Sequence, residues 1–135
     1  MPALAIRAFT ATTALGRGRA AQAEALRARR SGLRRNDFGE GVAAEARLDT
    51  WIGRVDGLED APLPAGWAHW ECRNNRLAWL ALQQDGVLEA VSDVCERHGA
   101  QRVALVVGTS TSSIGATEEA YTRLVDGVGG ATAFP

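Results

Sequence analysis

The chain has 135 residues, the length of one ordinary domain, and its 15 basic and 16 acidic side chains nearly cancel. This balance argues against nucleic-acid or membrane-surface binding driven by net charge. All basic residues are arginines, so the chain lacks the lysine that a P-loop, a pyridoxal-phosphate enzyme or a Ser-Lys hydrolase requires.

The N-terminal part predicts a strand followed by a helix. Residues 3–9 carry partly alternating apolar side chains and predict a first strand, after which a threonine-rich turn ends at Gly16 and Gly18. Residues 19–30 are strong helix formers, and Ser31-Gly32 is a stop signal behind them.

The apolar run at the N-terminus also bears on localisation. It has no preceding basic region and is interrupted by Arg7, a pattern that supports neither export nor a membrane span. We therefore expect a cytoplasmic protein.

A cluster of arginines overlaps the end of the predicted helix. Either it faces an acidic protein partner, or it is a solvated helix end whose cations complement the carbonyl-rich C-terminus. The cluster consists of Arg27, Arg29, Arg30, Arg34 and Arg35.

The middle of the chain predicts an irregular segment and then one long amphipathic helix. Residues 37–70 are rich in turn signals, with a short strand predicted at 51–55. A helix from Arg73 ends at Gly99, and Asp85-Gly86 in its middle is a weak point that permits close packing of another element. Its apolar stripe, which is interrupted by one polar residue, follows three- and four-residue steps through Leu77, Leu80, Ala81, Gln84, Leu88, Val91 and Cys95.

The cysteines and histidines predict neither a disulfide nor a metal site. Cys72 and Cys95 have no CxxC or CxxH neighbour, so we expect two free thiols. His69 and His98 belong to no ligand pattern and are expected at the surface. No catalytic residue is assigned among these four, and no cofactor is implied.

The last third predicts a buried strand and a helix. The five apolar residues 103–107 are typical of an interior strand, and 114–128 predicts a helix with Glu118 and Glu119 near its positive end. The chain is therefore expected to be α/β, a mixed sheet with packed helices, in one domain over 1–135.

The glycine-bounded turn after the predicted strand is the candidate substrate-binding site, because open α/β sheets bind ligands at the carboxyl ends of strands. A phosphate cradle is one interpretation, although the turn lacks a Walker lysine and GxGxxG spacing. The site residues are Gly108, Thr109, Ser110, Thr111 and Ser112.

The same segment resembles the β-ketoacyl-acyl-carrier-protein synthase family, which carries G-[ST]-x-x-[GS]-[GS]-x-G-x-x-E after a short apolar strand. The phrase RNNRLAWLAL, with Arg73 and Arg76, is similar to the family's preceding helix, and Ser31-Gly32-Leu33 resembles a phrase near its start. Ser110 stands where the family usually has glycine. The matching positions are Gly108, Thr109, Ser112, Ser113, Gly115 and Glu118.

The resemblance implies the N-terminal part of a thiolase-like fold and a decarboxylative Claisen condensation in fatty-acid-like or polyketide-like synthesis. It also implies a homodimer or heterodimer of synthase subunits, and an acyl carrier protein as the partner of the arginine cluster. The family's nucleophilic cysteine and two histidines lie further along its chain, so residues 1–135 alone are expected to be an inactive fragment. Thr111 occupies a position that gates the acyl pocket in relatives.

Two other functions stay open. The chain is alternatively part of a catalytically inactive partner subunit of the chain-length-factor type, or a small α/β ligand-binding domain that uses the 108–115 turn.

Overall fold

The computed structural model describes residues 4–38, 48–108 and 114–125, which form a mixed α/β arrangement with small antiparallel sheets. Within these ranges, each helix is too short or too polar to cross a membrane. The elements are the strands β1 (Thr12–Thr13), β2 (Gly16–Arg17), β3 (Leu33–Arg35) and β4 (Trp51–Gly53), the helices α1 (Gly18–Arg27), α2 (Arg73–Leu82), α3 (Val87–His98) and α4 (Ile114–Val125), and the 3-10 helices Ala65–Trp70 and Ala100–Arg102.

The chain divides into two compact units. One comprises residues 1–57 with 81–87, and the other comprises 58–80 with 88–135. Buried apolar side chains are few among the described residues: Ala25 in the first unit, and Leu58, Leu80 and Ala120 in the second.

β1 and β2 form a tight hairpin that leads directly into α1. Thr12 pairs with Arg17, and Thr13 pairs with Gly16. Gly16 has φ +141°, and a Cβ there would lie 2.7 Å from the Cβ of Ala21. Only glycine fits this backbone without strain, because the turn brings it against the first turns of the helix.

Helix α1 confirms the predicted helix, but it ends by a different signal. The N–H of Arg30 donates to the Ala25 carbonyl at 2.9 Å, and that of Arg29 donates to the Leu26 carbonyl at 3.1 Å. This is a Schellman cap, with Arg29 in the left-handed region at φ 52°. The expected stop residue, Gly32, lies beyond the cap.

Gly32 instead permits a close backbone approach to the first hairpin. A Cβ on Gly32 would lie 2.6 Å from the Ala14 carbonyl oxygen, and one on Gly53 would lie 3.1 Å from the Ala14 Cβ. Between these glycines, β3 pairs antiparallel with β4, with Arg34 opposite Ile52. The strand predicted at 51–55 is thus confirmed as β4, whereas its partner β3 was predicted only as part of the arginine cluster.

The long helix predicted from Arg73 to Gly99 is two helices. α2 ends at Leu82 and α3 begins at Val87, separated by a turn in which Asp85 has φ 59° and Gly86 has φ 71°. Continuous helix is incompatible with these positive φ values. The C-terminal boundary is confirmed, since Gly99 follows α3 with φ 85°.

Two predicted strands are wrong. Residues 4–9 and 103–107 have no regular secondary structure, and Leu105 and Val106 are 88% and 92% exposed rather than buried. An apolar run becomes a buried strand only when neighbouring strands satisfy its backbone, and no described strand pairs with either segment. The described sheets are therefore two antiparallel pairs rather than one mixed sheet.

Candidate functional site

The predicted substrate-binding turn is described only at its first residue. Gly108 is exposed and has open space around it, while Thr109, Ser110, Thr111 and Ser112 lie outside the described residues. Helix α4 follows from Ile114, as predicted, and its described part ends at Val125. Its first turn contains no acidic residue. Glu118 therefore lies farther from the positive end of the helix than predicted, and its favourable interaction with the helix dipole is weaker.

The arginine cluster is exposed, but three of its members are paired with carboxylates. Arg34 lies 3.2 Å from Asp56, and Arg35 lies 2.6 Å from Asp49. Arg30 contacts Glu24 at 3.7 Å. In the part of the chain that the structure describes, no ion pair reaches Arg27 or Arg29.

The hydrogen-bonded carboxylate of Asp37 belongs to the same unit. It lies 3.2 Å from Arg54 and 3.5 Å from Arg34. The hydrogen bond from Arg54, reinforced by the charge of Arg34, lowers the pKa of Asp37 below its ordinary value. Arg34 is thus shared between two carboxylates, which reduces its availability to an external partner.

The cysteines and histidines lie as expected. Cys72 and Cys95 form no disulfide and are half-buried, and His69 and His98 are exposed. The His69 ring lies beside the Trp70 ring, with their centroids 5.0 Å apart. Across 4–38, 48–108 and 114–125, no three His, Cys, Asp or Glu side chains are grouped to hold a metal ion.

A polar cluster around Asp85 was not predicted as a site. Its carboxylate accepts a hydrogen bond from the backbone N–H of Arg19 at 2.8 Å and another from the Thr10 hydroxyl at 2.8 Å. The Arg19 Nε lies 3.5 Å away, and the Asp85 side chain is 16% exposed. Since Arg17, the N-cap residue of α1, supplies no side-chain cap, Asp85 caps this helix from a distant part of the sequence.

These contacts stabilise the ionised form of Asp85. The backbone N–H of Arg19 is the main cause that lowers the pKa of this carboxyl, and the Thr10 hydroxyl and the Arg19 charge act in the same direction. The sequence signal was the Asp-Gly pair, which correctly predicted a weak point where another element packs. A Cβ on Gly18 would lie 3.3 Å from both carboxylate oxygens, so α1 approaches closely here.

A second ionic cluster, in the other unit, links the first turn of α2 to the residues before it. Arg73 donates to the Glu59 carboxylate at 2.7 Å, and Arg76 donates to the Glu59 carbonyl at 2.8 Å. Arg76 also pairs with Glu71, whose other oxygen accepts the N–H of Leu63 at 2.9 Å. The hydrogen bond from Arg76 is the main cause that lowers the pKa of Glu71.

Arg73 and Arg76 therefore attach the preceding loop to α2. Both arginines belong to the phrase that is similar to the synthase family, and their described contacts are structural. A ring contact between Trp67 and Trp79, edge to face with centroids 5.1 Å apart, lies in the same unit.

Comparison with known proteins finds no matching family model, and neither a curated protein nor a solved structure matches the chain.

Proposed function

We propose that this chain is the N-terminal part of a β-ketoacyl-acyl-carrier-protein synthase with a thiolase-like fold. The observation that carries the proposal is the ordered run of Gly108, Thr109, Ser112, Gly115 and Glu118 after an apolar segment. The phrase around Arg73 and the one around Ser31 stand before it in the family's order. The proposal rests on this resemblance, with the whole protein acting in fatty-acid-like or polyketide-like synthesis.

The proposed reaction joins two acyl units through a thiolate. A cysteine thiolate takes the acyl group from a carrier-protein thioester and releases the carrier thiol. Loss of CO₂ from malonyl-carrier protein gives an enolate, whose carbon attacks the acyl thioester and expels the cysteine thiolate. Histidines and backbone N–H groups stabilise the oxyanions, and these groups belong to a part of the family's chain beyond the segments matched here.

The exposure of residues 104–107, in the apolar segment 103–107, supports a larger sheet around this chain. Five consecutive apolar residues are typical of a strand covered on both faces, whereas Leu105 and Val106 are almost fully exposed. Strands supplied by the remainder of a synthase, or by a second subunit, would cover this segment.

The arginine cluster supports a carrier-protein partner through its two unpaired members. Arg27 and Arg29 are exposed at the end of α1, and no described carboxylate pairs with them. Guanidinium groups suit both acidic side chains and a phosphate group. We place the docking contact at these two residues rather than at Arg34 and Arg35, whose charges are already compensated.

The reaction is tested on the protein encoded by the whole gene. We expect condensation of acyl- and malonyl-carrier protein, and loss of at least about a thousandfold in rate when the cysteine of a Thr-Ala-Cys-Ser-like stretch is replaced by alanine. Residues 1–135 alone are expected to show no turnover. Turnover by these residues alone would contradict the assignment of the nucleophile to another part of the protein.

If the whole gene encodes no cysteine in a Thr-Ala-Cys-Ser-like stretch, the alternative of an inactive partner subunit is supported instead. In that case, the protein should raise or redirect the activity of a second synthase subunit with which it copurifies. The synthase proposal would be refuted if the protein showed no condensing activity and also had no effect on a second subunit.

Docking is tested by charge reversal. R27E combined with R29E should weaken carrier-protein binding by about tenfold or more at low salt, because two attractions become repulsions. R97E combined with R102E is the matched control, since Arg97 and Arg102 are also exposed, lie outside the cluster and give the same change in net charge. An equal loss in this control would show that only net charge matters, and unchanged binding by R27E with R29E would exclude the cluster.

A further inference from the structure

The apolar stripe that predicts one long helix continues in phase through the break between α2 and α3. At 100° per residue, its members lie within an arc of about 100° from Leu77 to Cys95, so the turn does not shift the helical register of the sequence. A continuous helix and a broken one are therefore both compatible with the stripe.

The turn itself is unfavourable for one of its residues. Asp85 has φ 59°, a left-handed conformation that side chains with a Cβ adopt at a cost, although aspartate tolerates it better than most. Gly86 follows at φ 71°, which glycine adopts readily. The positive φ of Gly86 thus follows from its being glycine. The positive φ of Asp85 costs free energy, and other contacts must offset that cost.

Those contacts come from the start of α1. The Asp85 carboxylate accepts from the Arg19 N–H and the Thr10 hydroxyl, each at 2.8 Å, and its side chain is largely buried. The same contacts give α1 the cap that Arg17 does not provide. Breaking the long helix and capping α1 are therefore two results of one set of hydrogen bonds.

We propose that residues 83–86 are a two-state element. In the observed state the Asp85 carboxylate caps α1 and the helix is broken; in the other state these residues are helical and α1 has lost its cap. The two events are linked, so a change that favours helix at 83–86 weakens the capping of α1 even when the carboxylate remains.

The test uses NMR on the 135-residue chain, with Cα chemical shifts at 83–86 and hydrogen exchange at the Arg19 amide. D85A should at least triple the helical population of 83–86 and speed exchange of the Arg19 amide by about tenfold. D93A is the control, because Asp93 is exposed within α3, and it should change neither readout.

G86A tests the linkage from the other side. Alanine disfavours φ 71° and favours helix, so this variant should raise helicity at 83–86 and also speed exchange at Arg19, with the carboxylate intact. Faster Arg19 exchange without helix at 83–86 in both variants would overturn the proposal, because the break would then be set locally. Unchanged readouts in both would also overturn it.

D85N is used if D85A does not fold. It keeps the shape and one oxygen acceptor but loses the charge, so both readouts should move in the same direction by a smaller amount. Wild-type values for both readouts would count against the two-state element.

Discussion

At the scale of single residues, carboxylates hold the described elements together through different donors. Asp37 and Glu71 depend first on arginine side chains, whereas Asp85 depends first on a backbone N–H. The first two are exposed to screening by salt, while the third also satisfies an otherwise unpaired helix donor. Removing Asp85 therefore leaves a backbone N–H of α1 without its partner, whereas removing a surface ion pair does not.

Acid should remove the contribution of Asp85 to stability. Because its pKa is lowered in the folded chain from the ordinary 3.8, this contribution is complete above about pH 5 and is lost as the pH falls through the lowered value. Arg19 is the charged group that faces it, and the Thr10 hydroxyl does not titrate in this range. Wild type and D85N should differ in Tm by about 3–5 °C at pH 7, and this difference should shrink as the pH falls below 3.8.

Melting curves measured at several pH values check this expectation. D93N is the control and should stay parallel to wild type throughout. A Tm difference between wild type and D85N that does not shrink between pH 7 and the lowest pH at which both chains fold would exclude the ionised carboxylate as its origin.

Arg29 is a residue whose replacement should stabilise the chain. It follows the C-cap residue Ala28 of α1 and is left-handed at φ 52°, a position where glycine is preferred. R29G should raise the free energy of unfolding by about 0.5–1 kcal/mol in urea titrations, because it relieves backbone strain. R27G, inside the helix, should lower it by a similar amount, and a stabilised R27G would contradict the capping geometry.

At the scale of elements, the hairpin that precedes α1 depends on Gly16. G16A should lower the free energy of unfolding by about 1–3 kcal/mol, because it adds a Cβ against Ala21 at an unfavourable φ. Gly66 provides the control, since a Cβ there meets nothing within 4 Å. Urea unfolding should therefore separate G16A from a nearly neutral G66A.

Helices with strong local signals were predictable from the sequence, and elements that depend on distant contacts were not. α1, α4 and the end of α3 follow from helix formers and a terminal glycine. The break at Asp85 depends on donors about 70 positions away in sequence, so local patterns showed a weak point without showing what fills it. β3 was missed because three exposed residues, two of them arginines, carry no period-two pattern.

At the scale of the whole molecule, apolar exposure distinguishes segment 103–107 from the described cores. Its composition predicts an interior strand, but strand formation requires partners that the described chain does not supply. The candidate substrate-binding turn that follows this segment was predicted from its place after an expected strand and from the family resemblance. Local sequence specifies that turn's residue types, whereas a pocket requires surfaces from several elements.

Self-association of the isolated chain should depend on this segment. V106D should reduce concentration-dependent light scattering while changing the free energy of unfolding by less than about 0.5 kcal/mol, because Val106 is 92% exposed. L80D, at a buried position, should instead unfold the chain or strongly destabilise it. A large loss of stability in V106D would show that the segment is buried in solution.

Ala14 lies against both Gly32 and Gly53, so the residues allowed at each of these three positions should depend on the other two. A larger residue at 14 has no room while the backbone at 32 stays so close, and a side chain at 32 would meet the Ala14 carbonyl whatever residue stands at 14. Homologous sequences should therefore keep glycine at 32 even where 14 varies between alanine and glycine. Position 53 should tolerate alanine chiefly in sequences that have glycine at 14, a covariation that an alignment would reveal.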